Sequence, residues 1–170
     1  MNNQSESEFR TGRLTAERLS GVHLIDLTEL HLDPEVMRHL GGVRSPSATE
    51  TYLTANLDHW DQHGFGLWVL RTHDGAFAGR AGIRRIEVEG VPEVEIAYTL
   101  RRGLWRQGLG TEIAQSLIVI WRSRRLSPSL IGIASLANDA SRRILAKVGF
   151  SHERDATYHG EAVALYRTWL

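Results

Sequence analysis

A chain of 170 residues and 19.1 kDa is the size of one domain. Such a chain can bury roughly 70% of its unfolded surface, so it needs neither disulfides nor a structural metal. Twenty basic residues balance twenty acidic ones, so bulk charge gives no attraction to nucleic acid or to an anionic membrane. There is no cysteine, which excludes a thiolate metal site, a disulfide framework and a cysteine nucleophile. No apolar run approaches the ~20 residues that cross a bilayer. The start, MNNQSESEF, is polar and acidic where a signal peptide is basic and then apolar, so the cytoplasm is the expected location.

In chain order, residues 1–12 read as a polar tail and 13–170 as a single domain. Arg18 to Ile25 is expected as a strand. Asp26–Leu32 and Pro34–Leu40 are expected as short helices, the second with Asp33 as cap, Pro34 in its first turn and Gly41 as stop. Ser47–His63 predicts an amphipathic helix ending before Gly64. Strands follow at Phe65–Thr72 and Phe77–Glu89 around a His73-Asp74-Gly75 turn, and after Gly90-Val91-Pro92 at Glu93–Leu100. A helix from about Gly108 to Arg122, a strand over Leu130–Leu136 and a helix over Asn138–Val148 come next. Phe150–Arg154 and Ala162–Trp169 form a last pair around Tyr158-His159-Gly160. This order predicts a mixed α/β sheet, mostly antiparallel and flanked by helices, not a doubly wound parallel fold.

The most informative stretch is the strand Glu95–Leu100 followed by Gly108-Leu109-Gly110-Thr111. A glycine-bearing turn that opens a helix lets main-chain N–H groups and the helix dipole meet an anion. The Rossmann and Walker fingerprints are both absent here, because Ile113 stands where a third small residue is needed and no Gly-Lys-Ser/Thr occurs. Alone, the two glycines fit a plain helix start equally well.

Taken with Asn138-Asp139-Ala140-Ser141 and Leu145 to Gly149-Phe150, the stretch resembles the GNAT family of N-acetyltransferases, and within it the RimJ/RimL-type branch. The ordered pattern is Glu-Ile-Ala-Tyr-x-Leu, Trp-x-x-Gly-x-Gly-Thr-Glu and Asn-x-x-Ser-x-x-x-Leu-x-x-x-Gly-Phe. Thr15 to Leu19 and Asp33 to Met37 add to the likeness, which covers about residues 13–169. It implies a GNAT-type acyl-CoA N-acyltransferase fold and transfer of acetyl from acetyl-CoA to a primary amine. The implied acceptor is a protein N-terminal α-amine, with a small amine such as a polyamine or aminoglycoside as the alternative. A coenzyme-A-binding sensor without turnover is the non-enzymatic reading, and a homodimer is left open.

The resemblance also implies the site. Main-chain groups of Tyr98, Thr99 and Leu100 would pair with the pantetheine arm, and amides of Arg106, Gln107, Gly108, Leu109, Gly110 and Thr111 would hold the diphosphate, with Asn138 nearby. Arg101, Arg102 and Arg106 suit that negative charge. Glu95 is the expected general base, through water. Ser141 replaces as acid the tyrosine that the wider family places at the position of Leu145, and Trp105 and Arg106 depart from the wider family's usual residues. A glutamate is a feeble base for a lysine amine, of which about 0.04% is neutral at pH 7, against roughly one-tenth of an α-amine. Asn138 also reads as an N-cap, with Ser141 at N3 and Gly149 as the C′ residue. Glu87, Glu89, Glu93 and Glu95 suggest an acidic patch that draws a cationic amine, or ordinary hairpin solvation. His59 and His63 are spaced to share a metal, but no third ligand follows them, so no metal is expected.

Overall fold

The computed structural model describes residues 7–170; residues 1–6 of the expected tail lie outside the described residues. Eight strands form one sheet in the order β1-β2-β3-β4-β5-β6-β8-β7. They are β1 Glu8–Arg10, β2 Leu14–Arg18, β3 Leu67–Thr72, β4 Phe77–Val88, β5 Val91–Leu100, β6 Ser129–Ser135, β7 Ser151–Tyr158 and β8 Glu161–Trp169. Five α-helices accompany them: α1 Leu24–Leu32, α2 Pro34–Met37, α3 Pro46–His63, α4 Leu109–Arg124 and α5 Asp139–Lys147. Every strand pair is antiparallel except β5 with β6. This is the mixed, mostly antiparallel sheet expected from the sequence. Among the described residues no helix is long and apolar enough to cross a membrane.

Two expectations fail at the amino end. Residues 8–10, read as tail, pair with Thr15 to Glu17 as an edge strand. The stretch from Arg18 to Ile25 is not a strand: β2 ends at Arg18, Gly21–His23 is a 3-10 turn, and α1 starts at Leu24. The apolar Val22, Leu24 and Ile25 suggested a strand, yet Val22 and Ile25 are exposed, and the inward positions are Leu19, Leu27 and Leu30.

Elsewhere local chemistry sets the element ends. Asp33 caps α2 by accepting from the Glu35 and Val36 amides at 2.9 and 3.4 Å. Gly64 ends α3 with φ 71°, a left-handed conformation that costs glycine least. At the far end of α5 the Gly149 amide donates to Ala146 and the Phe150 amide to Leu145, as a Schellman ending requires. The β4–β5 and β7–β8 hairpins turn on Glu89-Gly90 and His159-Gly160, each pair with both φ positive. Such turns match the twist of the strands they join.

Strand register divides the site between two faces. Arg80 pairs with Thr99 and Arg84 with Glu95, so these four share one face, while Tyr98 and Ile96 project from the other. On that second face α4 and α5 pack, with Ile113, Leu117, Trp121 and Leu145 fully or almost fully buried. Leu145 lies against Gly132 of β6, so the leucine serves as packing.

Two histidines, His31 buried and His59 half-buried, make the fold acid-sensitive. His59 donates from Nδ1 to the Phe65 carbonyl (2.8 Å) and accepts the Arg85 amide at Nε2 (2.9 Å). Both ring nitrogens are thereby engaged, which leaves none for a metal. Burial first, then His63, with Arg84 and Arg85 adding to it, pushes its pKa down to about 4. Burial, then Arg80 and Arg44, takes His31 to about 3. Because each folded pKa lies below the unfolded value of 6.5, the unfolded chain binds protons first. The contribution to stability is complete above pH 6.5 and is lost as pH falls through about 4 for His59 and about 3 for His31. Melting temperature should drop through that window, and His59→Gln should flatten the slope; an unchanged slope contradicts the assignment.

Candidate active site

β5 and β6 pair in parallel at Glu95–Ile131 and Ile96–Gly132 and then separate, although β5 runs on to Leu100 and β6 to Ser135. The separation exposes main-chain groups of β5 toward the gap. Because the Arg101 amide donates to Ala78 on β4, alternation directs Thr99 to β4 and turns Tyr98 and Leu100 to the gap. This corrects the expectation for Thr99, which reaches the cleft by its side chain instead. The Leu100 carbonyl accepts Trp105 Nε1 at 2.9 Å, leaving the Tyr98 groups and the Leu100 amide for an extended ligand.

The loop after β5 ends at Gly108, whose φ of 79° turns the chain into α4. No side chain caps α4, so the amides of its first turn have no intrahelical acceptor and face the gap with the positive end of the dipole. Gly110 packs tightly: an added Cβ would lie 2.8 Å from Ile144 Cδ1 and 4.0 Å from Tyr98 Cε2. Arg106 also adopts positive φ, 61°. Of the residues expected to hold diphosphate, Arg106, Gly108, Leu109, Gly110 and Thr111 line the cleft. Gln107 is not among its lining: its carbonyl accepts Arg13 Nη1 at 2.8 Å and its Nε2 donates to Gly103 at 3.1 Å. Arg101 and Arg102 face a separate hollow of about 210 Å³ with Glu29 and Asp33. They are therefore not part of the loop's charge.

Arg13 is a residue that sequence reading missed. Its Nε meets Glu112 Oε2 at 2.8 Å, its amide donates to Glu112 Oε1 at 2.8 Å, and its Nη1 reaches the Gln107 carbonyl. Arg13 thereby ties the β1–β2 turn to the loop and to the first turn of α4. The only signal in the sequence was a lone arginine beside Gly12. We expect Arg13→Ala to raise KM for acetyl-CoA roughly threefold to tenfold with kcat nearly unchanged, the loss of one or two hydrogen bonds. A steady-state titration of the thioester reads this; an equal fall in kcat contradicts a purely positioning role.

Across the gap, Asn138 caps α5 by accepting the Ser141 amide at Oδ1, 3.1 Å, as its spacing predicted. Ser141 Oγ lies 3.5 Å from the Tyr98 hydroxyl. Burial pushes the Tyr98 phenol up to about 12, with Ser141 opposing. Glu95 is buried, its carboxylate 6% exposed, and it accepts a hydrogen bond from Arg84 Nη2. Burial works against the Arg84 charge, but Glu95 more than offsets it and holds the guanidinium above its ordinary range. Two other acids of the expected patch are paired outward, Glu93 with Arg167 at 2.6 and 2.9 Å and Glu89 with Arg154 at 2.6 Å, and Glu87 is exposed. No acidic funnel forms, which corrects that expectation. One cleft of about 1050 Å³ joins Glu95, Tyr98, Thr99, the start of α4, Asn138 and Ser141. Among the described residues no group of three or more His, Asp or Glu side chains is placed to hold a metal ion.

A sheet split beside an uncapped helix start is a geometry that can accept an extended, anionic ligand. The Acetyltransferase (GNAT) domain family matches residues 13–151, so the chain belongs to that family and is an acetyl-CoA-dependent N-acetyltransferase. The fold is similar to an acetyltransferase from Agrobacterium tumefaciens (23% identity, TM-score 0.85, 98% of this chain and 96% of that one). It is similar to the ribosomal-protein alpha-N-acetyltransferase RimL in complex with coenzyme A (19%, TM-score 0.80, 96% and 98%). It is also similar to the aminoglycoside acetyltransferase AAC(6')-Ib in complex with coenzyme A (16%, TM-score 0.76, 92% and 94%).

Proposed function

We propose that the protein acetylates an α-amine in the manner of RimL, by direct attack on the thioester within a ternary complex, and that it works in the cytoplasm. The observation that carries this is the single cleft running from the first turn of α4 to the buried carboxylate of Glu95. Its lining fits acetyl-CoA: free amides for the diphosphate, the Tyr98 and Leu100 main chain for the pantetheine arm, and a main-chain N–H beside the thioester carbonyl. With no cysteine in the chain, an acetyl-cysteine intermediate has no seat. The amine nitrogen forms the new N–C bond, the C–S bond breaks, one amine proton passes through water to Glu95, which returns it to solvent, and the departing thiolate takes a proton from solvent.

Ser141 and Tyr98 orient the sulfur on this reading. A thiol with pKa near 8.5 leaves at neutral pH with little help, and the Tyr98 phenol, at about 12, is a reluctant donor. Ser141→Ala should therefore lose less kcat than Glu95→Gln; the reverse order overturns the two roles. An α-amine also matches the base available, since roughly one-tenth is already neutral at pH 7. The likeness of the fold to RimL adds weight to an N-terminal acceptor. Polyamines and aminoglycosides fit less well, because arginines line the acceptor side of the cleft. A sensor without turnover fits poorly with a buried, hydrogen-bonded Glu95. The deciding experiment is thiol release from acetyl-CoA with peptides bearing free α-amines, set against polyamines and aminoglycosides. We expect the peptides to turn over fastest; a clear preference for polycations overturns the proposal.

A further inference from the structure

The transfer chemistry leaves one group of side chains in the cleft unused. Arg80, on β4, is only 4% exposed, and its Nε is buried with no hydrogen-bond partner. The Arg84 Nε and the Tyr52 hydroxyl are buried without partners in the same way. All three residues line the cleft. The Tyr52 ring carries two guanidinium groups, Arg44 at 4.8 Å and Arg80 at 5.1 Å from its centroid. Both arginines are thus held in place by stacking, with donors left over.

The one carboxylate whose charge reaches Arg80, that of Glu95, is itself paired with Arg84. Among the described residues no carboxylate lies within ion-pair distance of Arg44 or Arg80. Of the acids lining the cleft, Glu95 is taken by Arg84 and Glu35 by Arg38, and Glu161 is exposed at the β7–β8 turn. His31 does not help: its Nε2 faces Arg44 Nη1 at 3.2 Å and its Nδ1 faces Thr49 Oγ1 at 3.0 Å, so the ring is neutral and accepts from the arginine. A buried guanidinium without counter-charge is costly, and so is a buried donor without acceptor. The cluster is not the coenzyme's diphosphate site. Arg80 shares its sheet face with Glu95 and Thr99, whereas the start of α4 meets Tyr98 on the opposite face.

We propose that the acceptor carries an oxyanion, a carboxylate or a phosphate, close to its amine, and that Arg44, Arg80 and Tyr52 bind it while Glu95 faces the amine. The inference rests on the acetyl-transfer reading and narrows its substrate class. Planar guanidinium forks suit either oxyanion, and the anion reaches them from one of two sources, the α-carboxylate of a free amino acid or the side chain of a peptide.

The test compares acceptors with like side chains, each rate referred to its neutral amine because amidation lowers the amine pKa. One arm sets aspartate and serine against their α-amides. A second sets Ser-Asp and Ser-phosphoserine peptide amides against the Ser-Asn peptide amide. We expect kcat/KM to be about tenfold or more higher for the anionic member in at least one arm, the worth of a charge-assisted pair. Whichever arm shows it names the source. Arg44→Gln, at a half-buried loop position that does not threaten the fold, should bring the ratio toward one while the KM for acetyl-CoA holds. Equal rates for charged and neutral members in both arms overturn the inference and leave the transfer reading intact. Should no amine turn over, the same compounds titrated calorimetrically against the protein saturated with coenzyme A still decide it. Heat from the anionic members alone, abolished by Arg44→Gln, supports the inference; no heat from any of them overturns it.

Discussion

Glu95→Gln should lower kcat about 100-fold, within the range that a positioned proton acceptor contributes, while binding of acetyl-CoA stays near that of the unaltered protein. The change is isosteric and keeps a carbonyl oxygen for Arg84 Nη2, so the geometry around the short contact between these two side chains is conserved. What disappears is the charge that takes the proton and faces Arg84. Removing one partner of a buried pair also destabilises, so the comparison needs a melting curve and a thioester titration beside the rate. A fall in kcat with unaltered thioester affinity fits a base. A fall in thioester affinity with kcat preserved would assign Glu95 to coenzyme binding instead.

A large stability effect is expected at Gly82, far from any reacting atom. A Cβ there would run into the Gly66 carbonyl and lie 2.7 Å from Leu67 Cα. Both are main-chain atoms of the neighbouring strand or its lead-in, so neither can rotate away. Gly82→Ala should cost about 3 kcal/mol, the upper end of ordinary overpacking. For a chain of this length that lowers Tm by roughly 6–12 °C. Gly21→Ala is the control, because nothing lies within 4 Å of its added Cβ. Equal melting temperatures for the two variants would mean that β3 and β4 do not approach as described.

Where periodicity and capping agree, the sequence was legible. The Asp33 signal places the start of α2, which stops at Met37 rather than the expected Leu40, Asn138 and Gly149 place the ends of α5, and Asp-Gly at 74–75 places the β3–β4 turn. Around residue 20 the reading failed, because Leu19 to Ile25 mixes inward and outward apolar residues in a short turn whose burial depends on α3 and β3. Residues 8–10 have no strand signal of their own, and their pairing comes from β2. Glu95, Ser141, Asn138 and the glycine loop, expected from the family pattern, come together along one cleft. Their partners were not expected. Arg84, Arg80 and Tyr52 come from β4 and α3, and Arg13 comes from a turn 99 residues before Glu112. Only the register that sets Arg84 opposite Glu95 makes the acid and its guanidinium one unit. Of the expected acidic patch, Glu89 and Glu93 are tied up in ion pairs with Arg154 on β7 and Arg167 on β8.

The most direct test follows main-chain amide signals by NMR during titration with acetyl-CoA. The account predicts saturable shifts that are largest at Leu109, Gly110 and Thr111, with Tyr98 and Leu100 following and the amides of β1 and β7 unmoved. Saturation with shifts confined elsewhere, or no saturation at all, would contradict it.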